Sequence, residues 1–290
     1  MKLYCPVHNL ENADAGYEWL FNGLNDYYIR TSRMVDGRKV HSIEHGTLSK
    51  EQEQISRDLK NLFPDCVNAL ILRDENGRSL TLNSDGEGSF KDWLKEQVLG
   101  SLKKEWSSRS SQTKVPHLMA NGSRIDDLSW LKTDENGPVD FDWDAFIHTV
   151  TRMKPVPAFD ALDLSCPENE EFGDETTEAR HFTPYSFLHH RGDPAKKRMA
   201  DDTIIELMNP VREMEKGNDI APFFRIRHGS FDRDISLPIP AILALKAKEK
   251  GSEVDYQIPW GLIHSGDYDF DEENAWIRDC CQKFDEKKVK

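Results

Sequence analysis

The chain has no long apolar run and few cysteines. Its 290 residues contain no stretch approaching the roughly 20 apolar residues that a transmembrane helix needs. The amino terminus, MKLYCPVHNL, lacks the apolar core of a secretory signal. Five cysteines are an odd number without metal-ligand spacing, which is typical of reduced cytosolic thiols rather than of a disulfide framework. We therefore expect a cytoplasmic protein without a membrane span.

Basic residues are scarce relative to acidic ones. The chain has 38 Lys and Arg against 52 Asp and Glu, which gives a formal net charge of −14. Because phosphate groups bind to clustered Lys and Arg, this balance argues against nucleic acid and against an anionic membrane surface as partners. Only 37% of the residues are hydrophobic, so we expect much of the chain at the surface of one large domain or two ordinary ones.

Metal-binding patterns are missing as well. The segment HFTPYSFLHHRGD contains His181, His189 and His190, but it has neither a His-x-x-x-His pair nor a cysteine. The acidic stretch PENEEFGDETTE lacks the Gly-centred spacing of a calcium loop. We interpret the histidines as loop packing and the acidic stretch as a solvated loop, and we predict no metal and no organic cofactor.

Apolar periodicity gives the order of the elements. A first short strand is expected to end at Pro6. The pattern then predicts helices over 12–24, 48–63, 90–106, 142–153 and 202–214, a hairpin turn at 76–77 and a long ordered loop over 155–195. Ser49 and Gln52 form a capping box for the second helix, and Pro64 is expected to end that helix.

The last part of the chain has a strand–Asp–helix–strand–His pattern. Residues 223–227 and 254–258 are predicted strands, with a helix over 235–250 between them. Asp232 follows the first strand and His264 follows the second, so both are expected at one edge of a parallel sheet. There Asp232 would fix the tautomer of His264, and His264 would take a proton from a hydroxyl. The alternative is a helix-capping Asp and a loop His without a catalytic role.

Mixed and irregular sequence separates the first strand from this βαβα finish. We therefore predict an α/β fold in which a large lid of mixed α+β structure is inserted into a sheet. Residues 1–8 and 215–290 are assigned to the sheet, and residues 9–214 to the lid.

A nucleophile for the Asp–His pair is not evident. No G-x-S-x-G elbow occurs in the 290 residues. Ser230 and Ser265 lie close to the pair in sequence, but neither has strand–turn–helix surroundings. Cys5 precedes Pro6, which blocks the helix that an elbow requires. The sequence thus contains a base and its orienting acid without an identified nucleophile.

Four segments resemble the bacterial tannases. They are YCPVHNLENADAGYEWLFN, TRMKPVPAFDALDLSCPENEEFG, RHGSFDRDISLPIPAILALK and PWGLIHSGDYDFDEENAWI. The resemblance runs through most of the chain and is thinnest over residues 30–140. Tannases and their feruloyl-esterase-like relatives are α/β-hydrolases with a large inserted lid. The resemblance therefore implies the last strands and helices of a partial α/β-hydrolase sheet, together with such a lid.

The resemblance also implies roles for individual residues. Asp232 matches the acid of the family's catalytic triad, and His264 matches its base. Lys154, Glu168 and Asp234 match the positions that hold the phenolic hydroxyls of a galloyl group. Carboxylates can accept hydrogen bonds from phenols and a lysine can donate one, so this set would discriminate against acyl groups without hydroxyls. The alternative for these three residues is ordinary solvated charges.

In the family the nucleophile elbow comes before the YCPV-like strand, with which this chain begins. We therefore expect the chain to carry the lid and closing strands of a tannase-like serine esterase, to bind a small phenolic ester or acid, and to be inactive alone. Galloyl and feruloyl groups both stay open, as do a truncated gene, a processed fragment and a stand-alone module.

The alternative function is a non-catalytic phenolic-acid-binding module, or a subunit that complements a separate nucleophile chain. An exposed sheet edge would favour self-association or pairing with such a nucleophile-bearing chain.

Overall fold

A computed structural model of the protein describes residues 2–4, 13–108, 128–217, 219–264 and 269–288. Its strands are β1 (Lys2–Tyr4), β2 (Asp26–Val35), β3 (Arg38–Thr47), β4 (Leu131–Asp134), β5 (Gly137–Phe141), β6 (Phe223–Arg227) and β7 (Glu253–Gln257). Its α-helices are α1 (Ala13–Phe21), α2 (Lys50–Ala69), α3 (Ser89–Ser108), α4 (Trp143–Val150), α5 (Pro167–Glu171), α6 (Pro184–Leu188), α7 (Asp202–Leu207), α8 (Pro210–Glu215), α9 (Pro238–Glu249) and α10 (Phe270–Lys288).

A parallel sheet of order β1-β6-β7 organises the carboxyl-terminal part of the described chain. Strand β6 lies in the middle, and all five of its residues are buried. Strand β7 pairs with β6 in parallel, with Phe223 opposite Glu253 and Arg227 opposite Gln257. Helix α9 connects the two strands as the crossover that a parallel pair requires. The prediction of two parallel closing strands is confirmed, although β7 begins one residue earlier than predicted.

Helix α2 runs through Pro64, so the prediction that this proline ends the helix is wrong. The capping box of Ser49 and Gln52 is present, and the helix continues to Ala69. Proline removes one backbone hydrogen bond and normally breaks a helix. Here Phe63, Pro64 and Val67 are all buried, and burial of apolar surface on both sides of the proline offsets the missing bond.

Strands β2 and β3 form an antiparallel hairpin of ten residues on each side, which the sequence analysis missed. Its turn is Asp36-Gly37, where both residues have positive φ, at 49° and 74°. That conformation suits a two-residue hairpin turn, and Asp-Gly is a strong signal for one. At the base of the hairpin, Tyr27 packs against a small second core that includes Leu48 and Leu59.

Other elements differ from the predictions in their bounds. The first helix, predicted over 12–24, ends at Phe21, and residue 12 lies outside the described residues. The helix predicted over 202–214 is two helices, because the Asn209 side chain caps α8 before Pro210. The turn predicted at 76–77 is present, but the residues on either side form an isolated antiparallel bridge between Arg73 and Ser79 rather than two paired strands. Hairpin β4–β5 lies in part of the chain for which no strand was predicted.

One continuous apolar core joins residues from both predicted domains. Tyr17 and Phe146 belong to it, as do Ile226, Phe231 and Trp260 from the carboxyl-terminal part. The rings of Phe146, Phe231 and Trp260 pack edge-to-face or stacked, with centroids 5.5 to 5.7 Å apart. The domain boundaries near residues 8 and 214 stay a prediction.

Two buried carboxylates fix the irregular segment 155–195, which contains only short helices. Asp14 accepts hydrogen bonds from the backbone N–H groups of Phe159 and Asp160, at 2.8 and 3.0 Å. Asp160 in turn contacts the His181 ring at 2.7 Å and accepts from the backbone of Thr183 at 2.8 Å. These bonds satisfy backbone groups that regular structure would otherwise pair.

Asp14→Asn should flatten the pH dependence of stability. Burial, with the nearby Asp160, raises the pKa of Asp14 from 3.8 to about 7. The folded protein therefore binds this proton between about pH 4 and 7 while the unfolded chain does not. The stabilisation from this group is complete at pH 4 and is lost as the pH rises through 7, by roughly 2–4 kcal/mol. Urea unfolding across this range measures it. The exposed Asp202→Asn serves as control, and identical pH slopes for Asp14→Asn and wild type would contradict the expectation.

Candidate active site

The loops after β6 and β7 remain paired beyond the strands. The His228 N–H donates to the carbonyl of Gln257 at 3.3 Å, and the Phe231 N–H donates to that of Leu262 at 2.9 Å. The Ser230 side chain also accepts from the Gly261 N–H at 2.8 Å. The two loops are therefore held side by side almost as far as Asp232 and His264.

Gly229 is what permits this close approach. A Cβ atom at position 229 would lie 2.2 Å from the carbonyl oxygen of Leu262, a distance that side chains do not tolerate. The absence of a side chain thus sets the separation between the two loops.

Asp232 and His264 are in contact, as the topology predicts. The Asp232 Oδ2 atom lies 3.1 Å from His264 Nδ1, and its Oδ1 accepts from the backbone of Asp234 and Ile235 at 2.9 and 3.1 Å. The Asp232 side chain is fully buried, whereas 37% of the His264 side chain is exposed. Burial acts to raise the pKa of Asp232, but His228, His264 and the Ile235 N–H outweigh it and hold that pKa below 3.8.

A second histidine, His228, flanks the same carboxylate and was missed by the sequence analysis. Its Nδ1 lies 3.5 Å from Asp232 Oδ2, and neither ring nitrogen has a hydrogen-bond partner among the described residues. Burial lowers the pKa of His228 below 6.5, against the opposing pull of Asp232. His228 is therefore a neutral imidazole at pH 7. Nothing in the local sequence RHGSFD indicates that this histidine is buried beside Asp232.

Lys154, Glu168 and Asp234 converge, although they come from three separate segments. The Lys154 ammonium lies 3.1 Å from Glu168 Oε1 and 3.1 Å from Asp234 Oδ1. It also lies over the Phe159 ring, 4.4 Å from the centroid. Burial acts to lower the pKa of Lys154, but the two carboxylates raise it well above its ordinary value. The cluster therefore holds one cation and two anions.

One acceptor of this cluster is unused. The Oε2 atom of Glu168 is buried and has no hydrogen-bond partner among the described residues. A buried carboxylate oxygen without a donor is costly, so the atom is suited to accept from a ligand. The net negative charge of the cluster favours a ligand that donates hydrogen bonds over an anionic group.

Asp234 links the two groups of residues. Its Oδ1 contacts Lys154, and its Oδ2 lies 4.0 Å from His264 Nε2. The five predicted site residues are thus brought together in one region, with exposure increasing from Asp232 to His264.

A buried ion pair holds the segment that carries Lys154. Arg152 and Glu18 are both fully buried and are joined by paired hydrogen bonds, one of them at 2.8 Å. Arg152 Nε also donates to the Lys154 carbonyl at 2.7 Å, and Ser56 donates to Glu18 at 2.6 Å. A paired buried arginine is typical of a fixed structural element. Sequence spacing could not have predicted an ion pair between Glu18 and Arg152, which lie 134 residues apart.

Of the three residues considered as nucleophiles, only Ser230 lies within the described residues. The Ser230 side chain is buried, and its Oγ accepts a hydrogen bond from the Gly261 N–H. Ser265 and Cys5 lie outside the described residues. Among the residues that are described, no group of three or more His, Cys, Asp or Glu side chains could hold a metal ion. That same part of the chain contains no helix with the length and apolar character for crossing a bilayer.

Solved structures of bacterial tannases are similar to this chain. A crystal structure of tannase from Lactobacillus plantarum matches it with a TM-score of 0.86 and 36% identity, over 97% of this chain and 57% of that one. The Fusobacterium nucleatum tannase matches with a TM-score of 0.81 and 38% identity, over 96% of this chain and 58% of that one. Over nearly its whole length, the chain is similar to the bacterial tannases.

The tannase resemblance found in four segments is thereby confirmed, and it extends over nearly the whole chain. A tannin acyl hydrolase in complex with ethyl gallate also matches, with a TM-score of 0.82 and 36% identity over 97% of this chain and 56% of that one. The chain spans just over half the length of these tannases. No family model matches the chain, and no curated protein does either.

Gly229→Ala should separate the Asp232 and His264 loops. The added Cβ would overlap the Leu262 carbonyl, so we expect a loss of stability of about 1–3 kcal/mol and a changed His264 imidazole signal in NMR spectra. Gly100→Ala is the matched control, because no atom lies within 4 Å of a Cβ at that helical position. It should be neutral or stabilising by up to about 1 kcal/mol. Equal stabilities of the two variants would show that the close approach is not needed.

His228 should titrate below pH 6.5, and its titration midpoint should rise in His264→Gln. Burial lowers its pKa, and the charge on His264 lowers it further, so removal of His264 relieves one opposing interaction. Imidazole NMR across a pH series measures both midpoints. The exposed His189→Gln should leave the His228 midpoint unchanged. A wild-type midpoint at or above 6.5 would be incompatible with a neutral, buried His228.

Proposed function

We propose that this chain carries the acid–base pair and the phenol-binding groups of a tannase-like serine carboxylic-ester hydrolase. Its substrates would be galloyl or related phenolic esters. The observation that supports this most directly is the Lys154–Glu168–Asp234 cluster beside His264, in which Glu168 Oε2 has no hydrogen-bond partner in the described part of the chain. The relatives described in complex with ethyl gallate and with 3,4-dihydroxybenzoate bind ligands of this chemistry.

The cluster fits a hydroxylated aromatic ring. A phenol O–H can donate to Glu168 or Asp234, and the Lys154 ammonium can donate to a phenol oxygen. An aromatic acid without hydroxyls would leave these partly buried groups without new partners, which disfavours its binding. Discrimination would therefore depend on ring hydroxyls.

The pair beside the cluster supplies the proton chemistry. His264 would accept the proton of an attacking hydroxyl at Nε2, and the Asp232 carboxylate on Nδ1 would hold the tautomer and stabilise the imidazolium. The protonated His264 would then return the proton to the leaving alcohol, and an activated water would release the phenolic acid from the acyl-enzyme.

We further propose that the described residues do not include the nucleophile and that the chain alone is inactive. The 290 residues contain no G-x-S-x-G elbow, and the buried Ser230 is occupied by the Gly261 N–H. The assignment of residues 9–214 to a lid, the cytoplasmic location and the pairing of an exposed sheet edge with another chain stay predictions.

Gallate binding tests the phenol site. We expect calorimetric titration to show that gallate binds more tightly than benzoate, and that Glu168→Gln weakens gallate binding roughly 10- to 100-fold through loss of a charged acceptor. Glu170→Gln is the matched control, because Glu170 lies exposed on the same helix. Equal affinity for gallate and benzoate in the wild type would overturn the assignment.

Methyl gallate hydrolysis by the same proteins tests the catalytic half. We expect no turnover by the wild type or by His264→Ala. Turnover that His264→Ala abolishes would mean that the chain contains its own nucleophile. Gallate binding without turnover is also what a non-catalytic binding module would show.

A further inference from the structure

Tyr17 on α1 connects two of the three segments that carry the Lys154–Glu168–Asp234 cluster, namely those of Lys154 and Asp234. Its side chain is fully buried. Its hydroxyl donates to the carbonyl of Arg233 at 2.7 Å and accepts from the N–H groups of Met153 and Lys154, at 3.2 and 3.0 Å. One oxygen atom therefore bonds to the backbone of Lys154 and to that of the residue before Asp234.

The hydrogen-bonding capacity of this hydroxyl is fully used. A tyrosine hydroxyl offers one donor and two acceptor positions, and all three are occupied by backbone groups. Burial raises the pKa of Tyr17 to about 12, so the hydroxyl stays a donor at neutral pH. Any displacement of one segment against the other would break at least one bond of a buried polar group.

The ring of Tyr17 supports the same lysine from another direction. It packs edge-to-face on Phe159, with centroids 5.7 Å apart, and Phe159 lies under the Lys154 ammonium. The Arg152 guanidinium lies over the Tyr17 ring itself, 5.4 Å from its centroid. The Tyr17 hydroxyl thus holds the Lys154 backbone, whereas the Tyr17 ring supports the Lys154 ammonium through Phe159.

Two further hydrogen bonds, both from Arg233, join the same two segments. Arg233 Nη1 donates to Thr151 Oγ1 at 2.7 Å and to the Val150 carbonyl at 3.1 Å. Thr151 has a φ of 67°, an unfavourable value for a β-branched residue. Such a conformation persists only where neighbouring contacts enforce it. The turn before Lys154 is therefore fixed from the Arg233 side.

We propose that Tyr17 is a positioning residue whose hydroxyl sets the spacing between Lys154 and Asp234, and with it the preference of the site for hydroxylated aromatic acids. This inference rests on the proposed function of the cluster. Tyr17 does not contact the ligand; it acts through the backbones of Lys154 and Arg233.

Tyr17→Phe isolates the hydroxyl, because it removes one oxygen and keeps the ring. Tyr256→Phe is the matched control: the Tyr256 hydroxyl is also buried, but it has no hydrogen-bond partner among the described residues. We expect Tyr17→Phe to weaken gallate binding by roughly tenfold and to leave benzoate binding unchanged, since only gallate needs the aligned polar groups. Tyr256→Phe should keep both wild-type affinities.

The outcomes separate this inference from the function on which it rests. A folded Tyr17→Phe protein with the wild-type ratio of gallate to benzoate affinity would overturn the role of Tyr17 alone. A wild type without preference for gallate would overturn the proposed function and this inference together. A uniform loss of affinity for both acids would show a merely structural role and would also overturn the inference.

Hydrogen exchange of the wild type provides a test that does not depend on folding of the variant. The Met153 and Lys154 amides should exchange slowly, at rates close to those of buried strand β6. Fast exchange of both amides would mean that the Tyr17 hydroxyl does not hold this segment. If Tyr17→Phe fails to fold, slow exchange supports the inference and fast exchange refutes it.

Discussion

The parallel pairing of β6 with β7 is the constraint on which the candidate site depends. The register that places Arg227 opposite Gln257 continues into the two loops, where backbone hydrogen bonds and the bare Cα of Gly229 keep them adjacent. Asp232 and His264 meet because of this register. A shift of one residue in the sheet would separate them.

Helix α1 provides a second constraint of a different kind. Two of its consecutive residues, Tyr17 and Glu18, hold the backbone around Lys154 through a hydroxyl and through the Arg152 guanidinium. Asp14 on the same helix fixes Phe159 and Asp160, between Lys154 and Glu168. Lys154 and Asp234 lie outside regular secondary structure and are positioned by buried polar groups, whereas Glu168 lies on α5. Each of these groups is costly to bury and is satisfied by a specific partner.

The sequence could predict those parts of the molecule that follow from local pattern or simple topology. The position of strand β6, the capping box of α2 and the adjacency of Asp232 and His264 are of this kind. The convergence of Lys154, Glu168 and Asp234 followed only from the family resemblance, because nothing in their spacing relates three separate segments. His228 and the Arg152–Glu18 pair were missed, since burial of a polar residue depends on tertiary packing. The prediction that Pro64 ends α2 was wrong for the same reason. The Asp36-Gly37 dipeptide, by contrast, is a recognisable hairpin turn that the sequence analysis overlooked.

Asp234 has one oxygen on Lys154 and the other 4.0 Å from His264, so it would belong to the proposed aromatic site and to the proposed proton-transfer pair at once. A ligand that draws Lys154 toward itself leaves the charge of Asp234 less compensated and more available to an imidazolium at His264. By reciprocity, protonation of that imidazole must alter the affinity for the ligand. Ring occupancy and base strength would then be thermodynamically linked, so that a correctly hydroxylated acyl group readies the proton acceptor for its own ester bond.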